Sequence, residues 1–348
     1  MSFSLRDARF LLALGAATSP VVGYLIGHTW HAFLVFFGAV PLLDWLIGRS
    51  DAPSSPEELA RLERSAFFRA VLIAYVPLHL GLILWGARVV GGGELAPWQA
   101  LGLTLSVGLV TGGSGITIAH ELGHKRSPLE RWLARALLYA VSYGHFTIEH
   151  NRGHHQRVAT REDPASARYG ESYWAFLPRT LAGSYAHAWR LEVARLAPIG
   201  LRWWHWRNEM LWATLLPPAL AASLGAAFSP LAVAFFLGQS AMAIALLEAV
   251  NYVEHYGLER ARLRDGRYEP VSERHSWDAN QVLTNSFLIH LQRHADHHLN
   301  PLRPYAALQP RSGSPKLPTG YTGMLPLALV PPLWFAVMNP RVPGSAQA

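Results

Sequence analysis

The chain has 348 residues, 51% of them hydrophobic, with 30 Lys and Arg against 23 Asp and Glu for a formal charge of +7, and it contains no cysteine. The lack of thiols excludes a disulfide scaffold and any thiolate metal site within the chain. The apolar residues lie in long runs, which excludes an ordinary soluble globule, and the positive charge is not accompanied by a basic helix or stacking motif that would bind nucleic acid.

Six runs, at about 10–27, 30–47, 70–87, 97–119, 211–228 and 230–247, approach the ~20 residues that cross a bilayer core. Arg6 and Arg9 precede the first, which is too long for a signal-peptide core and reads as a retained helix. His31, Asp44 and His79 interrupt three of the runs. Residues 50–56 form a polar turn, and Glu57 and Glu58 mark the acidic first turn of an amphipathic helix. The semi-apolar stretch 136–148 is too short to span and is predicted as a re-entrant or interfacial helix. Trp203, Trp204, Trp206 and Trp212 form an aromatic belt before the fifth run. Beyond His298 the chain turns Pro- and Gly-rich. A short apolar piece, 325–337, is broken by Pro331 and Pro332 and is expected to cap the cytoplasmic face, and residues 344–348 look like a linker.

Lys and Arg are retained on the cytoplasmic side of membrane helices. None lies between Arg9 and Arg49 or between Arg207 and Arg260, and Arg88 stands alone between Arg69 and Lys125. The expected fold is therefore all-α, an integral-membrane bundle of six transmembrane helices in one domain, 1–348. Both termini and a histidine-rich di-metal cap, from segments 120–210 and 251–348, face the cytoplasm.

Nine of the 17 histidines fall into four clusters. His120 and His124 extend the fourth run at i,i+4, a spacing that puts both imidazoles on one helical face. His150, His154 and His155 repeat that spacing with an adjacent third, His255 extends the sixth run, and His294, His297 and His298 combine i, i+3 and i+4. The charge argument puts all four clusters on one side of the membrane. Nine imidazoles exceed what one ion accepts and suit two ions of four or five ligands each, although imidazole alone does not name the metal. Glu121, Glu149, Asp163, Glu254 and Asp296 are candidates to accept the second N–H of the ligand rings. His28, His31, His79, His145, His187, His205, His275 and His290 lack ligand spacing and are expected to be structural.

Two rivals use the same residues. His120-Glu121-Leu122-Gly123-His124 matches the zinc-protease signature, with Glu121 as base, but that reading idles seven other clustered histidines. A metal transporter would hold its ligands near mid-membrane instead of at helix ends.

His-Glu-Leu-Gly-His-Lys (120–125), Glu-His-Asn-Arg-Gly-His-His (149–155), Asn-Tyr-Val-Glu-His-Tyr-Gly-Leu (251–258) and Leu-Gln-Arg-His-Ala-Asp-His-His (291–298) resemble the four histidine boxes of the integral-membrane alkane 1-monooxygenases, relatives of the membrane fatty-acid desaturases. Asp163-Pro164-Ala165, Gly170-Glu171-Ser172, His275-Ser276-Trp277 and Leu317-Pro318-Thr319-Gly320-Tyr321 extend the resemblance from about residue 41 onward. The third box separates this family from the desaturases, and Ala295 stands where the family commonly has Ser.

The resemblance implies a non-haem di-iron centre, with dioxygen as co-substrate, that hydroxylates the terminal carbon of an n-alkane. It also implies electrons from rubredoxin fed by an NAD(P)H-dependent reductase. A four-cysteine rubredoxin cannot reside in this chain. Arg152, Arg157, Arg161, Arg293 and Arg303 are candidates for its dock. Fatty-acid desaturation or hydroxylation and xylene-type hydroxylation share the metal logic. Phe36, Thr111, Gly112, Gly113 and Gly115 are expected to border the alkane channel above the metals, with Phe37 and Trp45 at its far end; close helix packing is the alternative role for the small residues.

Overall fold

In hydrocarbon every backbone N–H and C=O needs a partner within the chain, and a helix supplies one from a single segment. The computed structural model describes residues 4–344 and is helical throughout; among those residues the β pairings are isolated bridges. Residues 345–348 of the linker-like end lie outside the described residues.

In chain order, α1 (Leu5–Leu25) is followed by the shorter apolar helix α2 (His31–Ile47). The amphipathic α3 (Pro56–Arg64) starts where expected, its Ser55 hydroxyl accepting the Glu58 N–H. The long helices α4 (Ala66–Gly91) and α5 (Pro97–Gly123) come next, then α6 (Pro128–Tyr139) and the short α7 (residues 146–157). After α8 (Tyr173–Leu196), α9 (Glu209–Ala227) and α10 (Pro230–His255) form the last long apolar pair. Four short helices close the chain: α11 (Val282–Phe287), α12 (His294–Leu299), α13 (Tyr321–Ala328) and α14 (Pro331–Met338).

Five helices, α1, α4, α5, α9 and α10, are long and apolar enough to cross a membrane, and the chain is a membrane protein. At the centre stands α5, with 83% of its apolar window buried against 28–44% for the others. It packs on α10 through small residues: a Cβ on Gly112 would lie 2.6 Å from Ala243 Cα. Both helices outrun the hydropathy signal, α5 to Gly123 and α10 to His255, because their last turns are polar yet buried.

The polar intruders have internal partners or fitted space. Asp44 accepts the Thr284 N–H at 3.1 Å, His31 meets Ser19 Oγ at 3.0 Å, and His79 fits beside Gly115, where a Cβ would come within 2.5 Å of its ring.

Two elements depart from expectation. Residues 136–148 are not one interfacial helix: α6 ends at Tyr139, Ser142 takes a positive φ of 58°, and α7 begins at Phe146. The helix α8 has no predicted counterpart, since Pro178, Arg179, Arg190, Glu192 and Arg195 break up its hydropathy.

Three helices contain a π-helical turn: Leu34–Ala39 in α2, Thr111–Gly115 in α5 and His150–His154 in α7. Such turns are rare and concentrate at functional sites.

Candidate metal centre

The nine clustered histidines converge into two groups, His120, His124, His150, His155 and His297 in one, and His154, His255, His294 and His298 in the other. Within each, one nitrogen per ring lies within 4.8 Å of all the others. The groups abut, with the rings of His155 and His298 4.6 Å apart.

Local backbone geometry sorts the ligands. The π-turn at His150–His154 replaces i,i+4 by i,i+5 alignment, so His150 and His155 serve one group while His154 turns to the other. In α12, a regular helix, His294 and His298 stay together at i,i+4 and His297 crosses over.

In the larger group the Nε2 atoms of His120, His150, His155 and His297 form a closed ring with successive separations of 2.9, 3.0, 3.1 and 3.0 Å. In the smaller group, His294 Nε2 stands 2.9 Å from His298 Nε2 and 3.2 Å from His255 Nε2. Two nitrogens about 2.1 Å from one ion and roughly 90–100° apart are separated by about 3.0–3.2 Å. A neutral imidazole has one N–H, so a four-membered ring of Nε2 atoms is poorly satisfied by hydrogen bonds and well satisfied by lone pairs converging on a cation. Buried His124 Nε2 and His154 Nε2 have no hydrogen-bond partner. The residues therefore fit two metal ions.

Burial, reinforced by the neighbouring rings, holds His124, His150, His155, His294, His297 and His298 well below the ordinary histidine range, in the neutral form a metal requires. Burial alone would lower His154 as well, but the Asp163 carboxylate overrides it and raises that ring.

Of the expected carboxylate partners, one meets the outer nitrogen of a ligand: Asp163 Oδ2 lies 2.8 Å from His154 Nδ1. Glu254 Oε2 lies 3.2 Å from His294 Nε2, the inner nitrogen of that ring, whose outer Nδ1 has no partner. The other three point elsewhere. Glu121 accepts from Lys125 and, at 3.0 Å, from the Tyr305 N–H. Glu149 meets His187 Nδ1 at 2.8 Å. Asp296 accepts from Arg303, Arg311 and the Gln309 N–H, pinning the loop after α12. Each lies beside a ligand in sequence, but helical geometry sends adjacent side chains about 100° apart. Glu121 is thus held in an ion pair, not free to act as the base of a protease.

Sequence reasoning missed three supports. The His275 carbonyl accepts from His255 Nδ1 at 3.1 Å, the Tyr321 hydroxyl donates to Glu254 Oε1 at 2.8 Å, and Asp278 accepts the Ala295 N–H at 2.8 Å. His275 and Tyr321 lie in segments that carried the family resemblance, and Asp278 directly follows one. Among the eight histidines set aside, none joins either group.

An apolar cavity of about 540 Å³ adjoins the metal layer, lined by Phe36, Phe37, Gly112, Gly113, Leu246, Val250, Phe287 and Leu325, among others. Thr117 and Leu291 line it and also a smaller pocket that touches His120 and His297. Phe36, Phe37, Gly112 and Gly113 of the expected channel residues line this cavity. Thr111 and Gly115 do not: Thr111 Oγ1 bonds Val107 O and Gln239 Oε1, and Gly115 makes room for His79. Trp45 is exposed and off the cavity.

On the opposite flank an open groove of about 1250 Å³ reaches His124 and His155, with Lys125, Arg126, Arg131, Arg135, Arg152 and Arg195 on its walls and Glu209 the lone acid among its lining residues. Of the expected docking arginines, Arg152 lies here and Arg161 is exposed. Arg157 is engaged with His187, Arg303 with Asp296, and Arg293 is buried against the Leu308 carbonyl, so Arg293 offers no docking surface.

The fatty acid desaturase family model matches residues 96–325, the stretch that contains all four histidine clusters. The chain is 47% identical over 315 residues to alkane 1-monooxygenase 2 of Pseudomonas aeruginosa, covering 90% of this chain and 84% of that protein. It is 41% identical over 333 residues to alkane 1-monooxygenase of Ectopseudomonas oleovorans, covering 93% and 82%. The xylene/toluene monooxygenase hydroxylase component of Pseudomonas putida is more distant, 26% identical over 338 residues, 95% of this chain and 87% of that one. Histidine geometry, desaturase-type scaffold and full-length similarity agree: the chain belongs to the alkane 1-monooxygenase family.

Proposed function

We propose that this protein hydroxylates the terminal carbon of medium-chain n-alkanes with dioxygen, at two iron ions held by the nine histidines, using electrons from rubredoxin. The observation that carries this reading is an apolar cavity that adjoins the two histidine groups through Thr117 and Leu291. An alkane has no polar handle, so its recognition reduces to shape and burial, at ~0.8 kcal/mol per CH₂. The aromatic and aliphatic cavity wall supplies both, and Thr117 and Leu291 mark where an alkyl terminus would approach the metal layer. When bound, the irons supply dioxygen activation; the protein positions the chain, excludes water and holds the imidazoles neutral.

In this reading α2 is the sixth span, at a length within the ~17–25-residue range for crossing. The basic groove beside His124 and His155 is the dock for the acidic donor and lies on the cytoplasmic side of the bacterial inner membrane. The whole chain acts as one membrane monooxygenase domain.

Membranes carrying the protein, supplied with rubredoxin, its reductase and NAD(P)H, should convert an n-alkane to the 1-alkanol in preference to fatty acid or xylene. Product from fatty acid or xylene alone would overturn the substrate assignment. Metal analysis is expected to find about two irons per chain; one zinc would sink the di-iron reading.

A further inference from the structure

Hydroxylation balances as R–H plus O₂, two electrons and two protons, giving R–OH and H₂O. On the reading above, rubredoxin brings the electrons, and two protons must reach a metal layer whose ligand rings are almost wholly buried. One face of α10 closes the apolar cavity with Leu246, Leu247 and Val250. Its other face gives Glu248 and Asn251 to a separate small polar pocket, with about 10 Å³ of room for a water centre, which His145, Glu149 and Ser184 also line. That cavity touches His150 of one histidine group and His154 of the other, at the seam between them.

Glu248 is 1% exposed and sits within a membrane-spanning helix. Its carboxyl takes hydrogen bonds from the Tyr143 hydroxyl, from Thr180 Oγ1 at 2.8 Å and from Asn251 Nδ2 at 3.3 Å, and among the described residues no Lys or Arg pairs with it. A buried acid without a countercharge is costly, and acids and histidines so placed in membrane helices mark proton relays. His145 stands at the cavity's outer side. Its buried Nε2 has no partner, and its ring packs edge-on against Tyr185, which is 37% exposed. Burial lowers His145 to about 4, leaving a neutral ring that can accept a proton on one nitrogen and release one from the other. A polar pocket of this size has room for about one water, which would join such groups.

We propose that this polar cavity is the proton-supply chamber of the hydroxylase, with Glu248 as the relay acid that passes protons from cavity water toward the seam of the metal layer. Protons and alkane then approach from opposite faces of α10. Glu248 is a relay residue, since it acts through water and touches no ligand ring.

The test uses the iron-loaded enzyme in lipid nanodiscs with n-octane, rubredoxin and reductase. Glu248→Gln keeps the shape and removes the exchangeable carboxyl proton. Iron content and thermal midpoint should match wild type. Turnover should fall about 10²-fold, hydrogen peroxide should appear at the expense of octanol, and the solvent deuterium isotope effect should grow. Glu248→Asp should recover part of the loss, which a merely structural role would not require. Ser184→Leu fills the cavity without altering a titratable group and should uncouple in the same way. An independent readout comes from iron-free protein: the infrared band of a protonated carboxyl should shift in D₂O and vanish in Glu248→Gln. Normal coupling and isotope effect in Ser184→Leu overturn the proposal even if Glu248→Gln fails to fold, and so does normal coupling in a folded Glu248→Gln. If wild type makes no octanol, the hydroxylase reading fails, while the infrared exchange still reports on Glu248.

Discussion

Around the group formed by His154, His255, His294 and His298 lie Asp163 on His154, Glu254 beside His294 and the His275 carbonyl on His255. Around His120, His124, His150, His155 and His297 no carboxylate hydrogen bonds to a ring among the described residues, and two of the rings reach the floor of the basic groove. The same side chain thus builds one charge-compensated, deeply enclosed site and one neutral site buried beneath the floor of the basic groove. Ligand identity sets what can bind, and the outer partners set how tightly and with what charge. The four-ligand site has no imidazole to spare and depends on its acids; the five-ligand site can lose a ring and still offer four.

The largest expected effect separates the two directly. Alanine at any of the nine histidines should remove most hydroxylation. His255→Ala should also bring iron down to about one per chain, whereas His124→Ala should retain more, because four ligands still suffice there. Equal iron loss in both would end the distinction, and full activity in two of the nine variants would break the nine-ligand assignment. Next in size, Asp163→Asn should weaken iron binding about 10–100-fold in a chelator competition, while Glu121→Gln and Glu149→Gln should stay near wild type. The open side of the comparison is probed by Arg126→Glu with Arg131→Glu. The KM for rubredoxin should rise and lose its salt dependence, with kcat at saturating donor unchanged.

Smaller effects concern the surroundings. Gly113→Leu should shorten the preferred alkane, since a Cβ there meets only Leu246 Cδ2 at 3.7 Å and points toward the cavity. Gly112→Leu should instead impair folding, because its Cβ would collide with the α10 backbone. An unchanged chain-length profile in folded Gly113→Leu would remove the cavity from the substrate path. Smallest is an acid effect at Glu192, which backs the groove residues Arg152 and Arg195. Burial would raise Glu192, but hydrogen bonds from Arg195 and Arg152 overcome it and hold the carboxyl at about 2, against an ordinary 4.5. A depressed carboxyl contributes stability that is in place above 4.5 and lost as pH falls toward 2. Thermal midpoints of Glu192→Gln should therefore be lower than wild type near neutrality and converge with it across that window.

Much of this was legible because membrane helices and metal ligands both leave strong marks in sequence. The apolar runs located α1, α2, α4, α5, α9 and α10, and histidine spacing collected the nine rings that the fold brings together. What escaped follows from the same physics. Hydropathy stops where α10 turns polar, although Glu248, Asn251 and Glu254 remain buried, so the helix was read eight residues short. Proximity in sequence suggested Glu121, Glu149 and Asp296 as partners of the ligands beside them, yet on a helix neighbours diverge. Asp163, which was expected, and the His275 carbonyl, which was not, reach the ligand rings from outside the ligands' helices, and Tyr321 supports Glu254 from a distant helix. The five-to-four division depends on a π-turn, for which side-chain spacing carries no signal.

That turn has a further consequence. A π-helical turn is an α-helix that has absorbed one additional residue. Deleting Gly113 from the turn Thr111–Gly115 would let α5 close into a regular helix with everything beyond it, His120 and His124 included, kept near its present phase, whereas a deletion in a regular stretch of α5 would rotate that part by about 100°. The wide turn is therefore a one-residue adjuster between the cavity-lining half of α5 and its histidine-bearing half. Substitutions in the first half, up to Leu109 and Val110, can reshape the cavity while the phase of the imidazoles stays fixed; insertions and deletions there cannot.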